Sequence, residues 1–167
     1  MDEAEEVRDS ITRLFDAIVR RNIDAIQQHY LQEDRLFIFL EGWQGKIEGF
    51  DRETNAAQWQ GLLDQVTFSK IAMTSDIRSG RTSDLGWVGG TIASTFTPAG
   101  ESTPVELTQR ATWILERHLA KWLIVFEHVS FPKDKPYGAE TLASWAASRR
   151  PSIRPKLIAG VTDMPPQ

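Results

Sequence analysis

Two neighbouring stretches, Arg110-Ala-Thr-Trp-Ile-Leu-Glu116 and Lys121-Trp-Leu-Ile-Val-Phe-Glu-His-Val-Ser130, decide the fold. Both are rich in β-branched and aromatic residues, which suit a pleated, half-buried surface. Few residues separate them, so they predict an antiparallel hairpin with Leu119-Ala120 as its turn. A two-residue turn pairs His118 with Lys121, and continued register sets Ala111 opposite His128 and Trp113 opposite Phe126. One face then carries Leu107, Gln109, Ala111, Trp113 and Leu115 beside Trp122, Ile124, Phe126, His128 and Ser130. It is expected to line the inside of the fold. The other face sets Arg110 and Glu127 among Ile114, Leu123, Val125 and Val129. That surface is too apolar for full exposure and is expected to form a dimer interface, with Arg110 and Glu127 as a structural charged pair. A bulge or one-residue slip exchanges the faces and brings Arg110 opposite His128, so Arg110 stays a second pocket candidate.

Outward from the hairpin, Val66 to Arg78 and Asp84 to Thr97 read as two earlier strands bounded by turn residues. With Val105 to Arg117 and Trp122 to Phe131 they are expected to form an antiparallel meander. Upstream, Val7, Ile11, Leu14, Phe15 and Ile18 recur at helical spacing, predicting a long amphipathic first helix. Asn22 is expected to cap a short second helix with Ile23, Ile26 and Tyr30 inward, and Asp51 a third near residues 52 to 64, with Ala56, Trp59 and Leu63 on one face. Leu36 to Leu40 has strand length, and Gly42, Gly45 and Gly49 punctuate an irregular connection after it. Residues 1–132 are expected to form one domain, and residues 133–167 an extension with a short helix at Ala139 to Arg149 and a Pro-rich tail.

Composition removes several classes of function. The 167 residues are 41% hydrophobic and 25% charged, as in an ordinary globular chain. A net charge of −4 with scattered basic residues lacks the footprint of a nucleic-acid binder. Cysteine is absent, which excludes disulfides and thiolate chemistry. The opening Met1-Asp-Glu-Ala-Glu-Glu6 is acidic and no apolar run has membrane-spanning length, so a cytoplasmic location away from membranes is expected. No phosphate-cradling loop, paired metal-binding histidines or nucleophile elbow is present, and no cofactor or metal is implied.

The strand pair, an Arg-x-Thr strand followed by Trp122-x-Ile-Val-x-Glu-His-x-Ser130, resembles SnoaL-like proteins of the nuclear transport factor 2-like (ketosteroid isomerase-like) superfamily over residues 5 to 132. The resemblance implies an α+β, cone-shaped fold of the cystatin-like kind, with N-terminal helices packed in a strongly curved antiparallel sheet. It also implies a pocket between helices and sheet, and a homodimer through the outer sheet face. Two departures stand out: such proteins usually carry Asp-Gly where Leu119-Ala120 stands, and often a histidine at the place of Phe126. The superfamily includes isomerases, dehydratases and cyclases as well as domains that only bind or oligomerise, so residues must decide the chemistry.

His128 is the first candidate, because an imidazole can take or give a proton near neutrality, although a core role is equally compatible with its neighbours. Tyr30 follows the inward stripe of the second helix, whereas His29 points about 100° away and is expected in solvent. Glu41 and Trp43 follow the first strand, where such proteins carry polar and aromatic residues over the pocket. Trp43, Gln109, Arg110, Trp122, Phe126 and Ser130 are the expected substrate contacts, for a small hydrophobic or aromatic molecule. Two functions remain open: cofactor-independent proton-transfer catalysis by an isomerase, lyase or cyclase, or a non-catalytic module for ligand binding or oligomerisation.

Overall fold

The computed structural model describes residues 3–40 and 46–131. Helix α1 (Glu3–Val19) opens the chain and buries Val7, Ile11, Leu14, Phe15 and Ile18, the expected stripe. Helix α2 (Ile23–Gln27) starts where Asn22 Oδ1 accepts a hydrogen bond from the Ala25 amide. Strands β1 (Phe37–Leu40) and β2 (Lys46–Glu48) precede helix α3 (Arg52–Gln65). Asp51 caps α3 through the Thr54 amide (2.7 Å), and the Asn55 side chain accepts from the Asp51 amide in return. Asn55, Trp59 and Leu63 form the buried face of α3, while the expected Ala56 is only partly covered.

Strands β3 (Val66–Met73), β4 (Arg78–Arg81), β5 (Leu85–Pro98), β6 (Val105–His118) and β7 (Lys121–Ser130) follow among the described residues. The sheet order is β2-β1-β7-β6-β5-β3, with β4 also on β5. Two expectations are corrected. The strand foreseen from Val66 to Arg78 is two strands, because the chain turns between them, where Asp76 accepts bonds from Thr74 and from the amide and hydroxyl of Thr91. Opposite that turn Gly90 takes φ +148, and a Cβ there would meet the Ile77 Cα at 2.9 Å. The sheet is also mixed, since β1 joins the edge of β7 in parallel. Extra residues at Ser69 in β3 and Val125 in β7 interrupt the ladders and add curvature.

The helices fill the concave side of this curved sheet. Their buried faces meet Val88, Trp113, Leu115, Trp122 and Ile124 in one large apolar cluster, and Val66, Phe96, Leu107 and Phe131 form a second. The β6–β7 turn is as short as expected, with His118 paired to Lys121. It holds Leu119, where the usual turn has aspartate, at φ +56 with its side chain wholly exposed. A left-handed non-glycine residue costs about 1 kcal/mol or more. Leu119→Gly is therefore expected to raise stability by about 0.5–1 kcal/mol in urea denaturation, since no packing is lost. The expected helix at Ala139 to Arg149 and the Pro-rich tail lie outside the described residues.

Candidate functional site

At Val125 the β6–β7 register changes: Leu115 faces Ile124, but Ile114 faces Phe126 and Trp113 faces Glu127. One extra residue reverses every side chain after it. The cause lies on the other edge of β7. The segment after α2 pairs there first, with Leu31 donating to the Ile124 carbonyl and the Ile124 amide donating to His29. Strand β1 then takes over from Phe126 onward. The bulge sits between these two partners and turns Glu127, Val129 and Phe131 to the concave side, where all three are buried.

Glu127 thereby becomes the polar centre of an apolar surface. The Tyr30 hydroxyl donates to Glu127 Oε2 at 2.6 Å, and Trp113 Nε1–H donates to Oε1 at 3.0 Å. Glu127, Tyr30 and Trp113 are 5%, 2% and 1% exposed. Phe15 of α1 packs edge-on against Trp113 (5.8 Å between centroids), and Trp59 of α3 lies 6.3 Å from Tyr30. Burial raises the Glu127 pKa above its ordinary 4.5, while the bonds from Tyr30 and Trp113 pull it back by favouring the carboxylate. The Tyr30 pKa is raised too, first by burial and then by the adjacent carboxyl. The cluster is an acid held between two donors, so that losing its proton leaves a carboxylate already provided with partners.

The raised acid has a stability signature. Below about pH 4.5 folded and unfolded chains both hold the Glu127 proton; above it the unfolded chain releases its proton first, so this contribution is lost as pH rises through the folded pKa. The carboxyls of Asp51, Asp76 and Glu116 are lowered instead, so their contributions fade only in more acidic solution. Wild type is therefore expected to lose stability relative to Glu127→Gln from pH 5 upward, by at most about 1.4 kcal/mol per pH unit, in urea titrations of both proteins.

The remaining expected residues divide between the two faces. Tyr30, Gln109 and Trp122 take the concave side as foreseen, with Gln109 half-buried opposite Ile92. Phe126, His128 and Ser130, expected inside, are on the outer face because the Val125 bulge inverts them. His128 stands across from Thr112 with its ring 5.6 Å from Phe39, and Phe126 stacks on Phe37 at 5.9 Å. Arg110 lies across from Ser130 on that outer face and donates to the Phe131 carbonyl, so the expected Arg110–Glu127 pair does not form. Glu41 and Trp43 lie outside the described residues. Glu127 was read as half of a structural pair with Arg110; the bulge held open as an alternative is the register that forms, and it turns Glu127 rather than Arg110 inward. Its signal was the apolar run Ile124-Val-Phe126, where strict alternation fails.

A SnoaL-like domain is matched over residues 7–134 of the chain. The chain belongs to the SnoaL-like domain family. Solved structures agree on the fold of this SnoaL-like protein. A nuclear transport factor 2-like superfamily protein from Salmonella enterica serovar Typhimurium matches with a TM-score of 0.66 at 14% identity, over 81% of this chain and 94% of that one. A ketosteroid isomerase-like protein from Erwinia carotovora atroseptica matches with a TM-score of 0.63 at 15% identity, over 77% and 95%. An NTF2-like protein of unknown function from Pseudomonas putida reaches 21% identity and 0.59, over 81% and 90%. No curated protein matches the SnoaL-like sequence. Among the described residues no helix is long and apolar enough to cross a membrane.

Proposed function

We propose that this SnoaL-like chain receives a small hydrophobic or aromatic molecule on its concave face and catalyses cofactor-independent proton transfer there, as in isomerisation, dehydration or cyclisation. Glu127 is the acid or base, and Tyr30 is the donor that holds its carboxylate form. The observation that carries this reading is the 2.6 Å bond between Tyr30 and the buried Glu127. An acid whose pKa is raised toward neutrality is suited to exchange a proton with a weakly acidic carbon or a leaving hydroxyl. Gln109 completes the proposed contact surface, whereas Trp122 lines a separate cleft beside α1.

The same proposal includes a cytoplasmic homodimer through the outer sheet face. Phe39, Trp87 and Leu85 are 46–47% exposed there, beside the Phe37–Phe126 stack. A second reading, a module that binds or assembles without catalysis, is favoured by one observation: both Glu127 oxygens already have donors in a closed, packed environment.

Thermal stability against a panel of aromatic, terpenoid and polyketide-like molecules tests binding, since a ligand of the native state raises stability. For each stabilising compound, solvent deuterium exchange into the bound molecule tests the chemistry. Wild type is expected to catalyse exchange, and Glu127→Gln to bind but lose about 10²–10⁴-fold in rate. Binding with no exchange in wild type establishes the second reading.

A further inference from the structure

A cleft of about 600 Å³ opens where α1, α2 and the β6–β7 turn meet, and no residue of the Tyr30–Glu127–Trp113 cluster lines it. The volume suits a small organic ligand. Helix α1 contributes Glu6, Asp9, Ser10 and Arg13, whose spacing puts them on one stripe. Ser10 donates to the Trp122 carbonyl at 3.0 Å and pins that stripe to β7. Across the cleft stand His29, after α2, and Arg117 and Lys121, at the β6–β7 turn.

The cations cluster at one end without partners. Among the described residues the Arg13 and Lys121 side chains make no ion pair or hydrogen bond, although both lie close enough to His29 to disfavour its protonation. The His29 pKa is lowered first by burial and then by these two charges, a mark of positive potential at this end of the cleft. At the other end Glu6 faces Arg81 at 3.9 Å, and Arg81 and Arg117 both lie over the Trp122 ring, at 5.9 and 6.0 Å. Asp9 lies one helical turn before Arg13 on the same α1 wall. A dianion such as phosphate is repelled by the Asp9 side chain more strongly than a single carboxylate held between Arg13, His29 and Lys121.

From the cleft and its unpaired cations we infer that this protein has a second ligand site, for an organic monocarboxylate, with the carboxylate held by Arg13 and Lys121 beside His29. Burial and then the two cations disfavour the charged imidazole, and a bound carboxylate opposes the second effect, so binding takes up protons on the acid side of the ordinary imidazole range and tightens as pH falls. The charged and titratable groups facing the ligand are those of α1 (Glu6, Asp9, Arg13), of the α2 end (His29) and of the turn (Arg117, Lys121). Of these His29 alone has an ordinary pKa near this window.

Isothermal titration of the full chain with 1-naphthoate at low ionic strength, in two buffers of different ionisation enthalpy, tests the site. The expected result is saturable binding with proton uptake. Affinity is expected to fall at least 10-fold in Arg13→Gln/Lys121→Gln, and at least 10-fold for the neutral naphthalene-1-carboxamide. His29→Gln is expected to bind without proton uptake, which separates this site from the concave face, where Glu127 is the titrating group. Circular dichroism melts confirm that each variant is folded. Equal affinity of the carboxamide, an unchanged affinity in the double variant, or tighter binding of inorganic phosphate overturns the inference.

Discussion

Glu127→Ala is expected to unfold with about 3–5 kcal/mol less stability than wild type, and Glu127→Gln with a loss of only about 1 kcal/mol. The difference comes from the two donors aimed at the carboxyl. With alanine, the Tyr30 hydroxyl and the Trp113 indole N–H stay buried without acceptors, at about 1–3 kcal/mol each, and a cavity adds to the loss. Glutamine keeps the volume and a carbonyl for Trp113, while its amide donates to the Tyr30 oxygen. At neutral pH it also removes the cost of ionising a buried acid. Urea denaturation at pH 7 checks the pair, and equal stability of the two variants contradicts the account of the cluster.

Trp113→Ala is expected to cost about 3–5 kcal/mol, enough to leave a domain of ordinary stability marginal at 25 °C. Trp113 is at the middle of β6, between Val88 of β5 and Glu127 of β7, with Phe15 packed edge-on against it. Its removal empties the junction of helix α1 and the sheet. Trp113→Phe separates the two roles of the side chain. It keeps most of the ring but removes the donor to Glu127 Oε1, so the acid is expected to titrate still higher and the stability loss to extend to higher pH. Equilibrium melts of both variants between pH 5 and 9 check this ordering, and a Trp113→Ala loss below about 1 kcal/mol contradicts it.

The helical half of the fold was legible because each signal was local. The Val7-to-Ile18 stripe, the Asn22 and Asp51 caps and the inward Tyr30 all depend on residues within a few turns of one another. The hairpin was legible as far as its turn, where His118 and Lys121 pair as the two-residue spacing demands. Beyond Val125 the sequence alone leaves the regular and the bulged register open. The bulge arises from the far edge of β7, where Ile124 is tied to residues 29 and 31 and Phe126 to β1, and those partners are about 90 residues earlier in the chain. That long-range pairing exchanges His128 for Glu127 on the concave face.

The other differences have the same origin. The break between β3 and β4 is enforced by Gly90 and Thr91 of β5, and the parallel seat of β1 by the free edge of β7. Arg110, read as a partner for Glu127 or His128, instead bonds the Phe131 carbonyl once the strands have shifted. His29, expected in solvent, is half-buried between α1 and β7 because its carbonyl accepts from the Ile124 amide.

The central claim, that Glu127 is an acid held at the heart of the concave face, is tested most directly by its own titration. In protein carrying 13C-labelled glutamate, with Glu127→Gln to assign the resonance, the Glu127 carboxyl shift is followed from pH 3 to pH 9. The account predicts a midpoint clearly above the ordinary 4.5, moving higher in Trp113→Phe. A midpoint at or below 4.5 in wild type contradicts it.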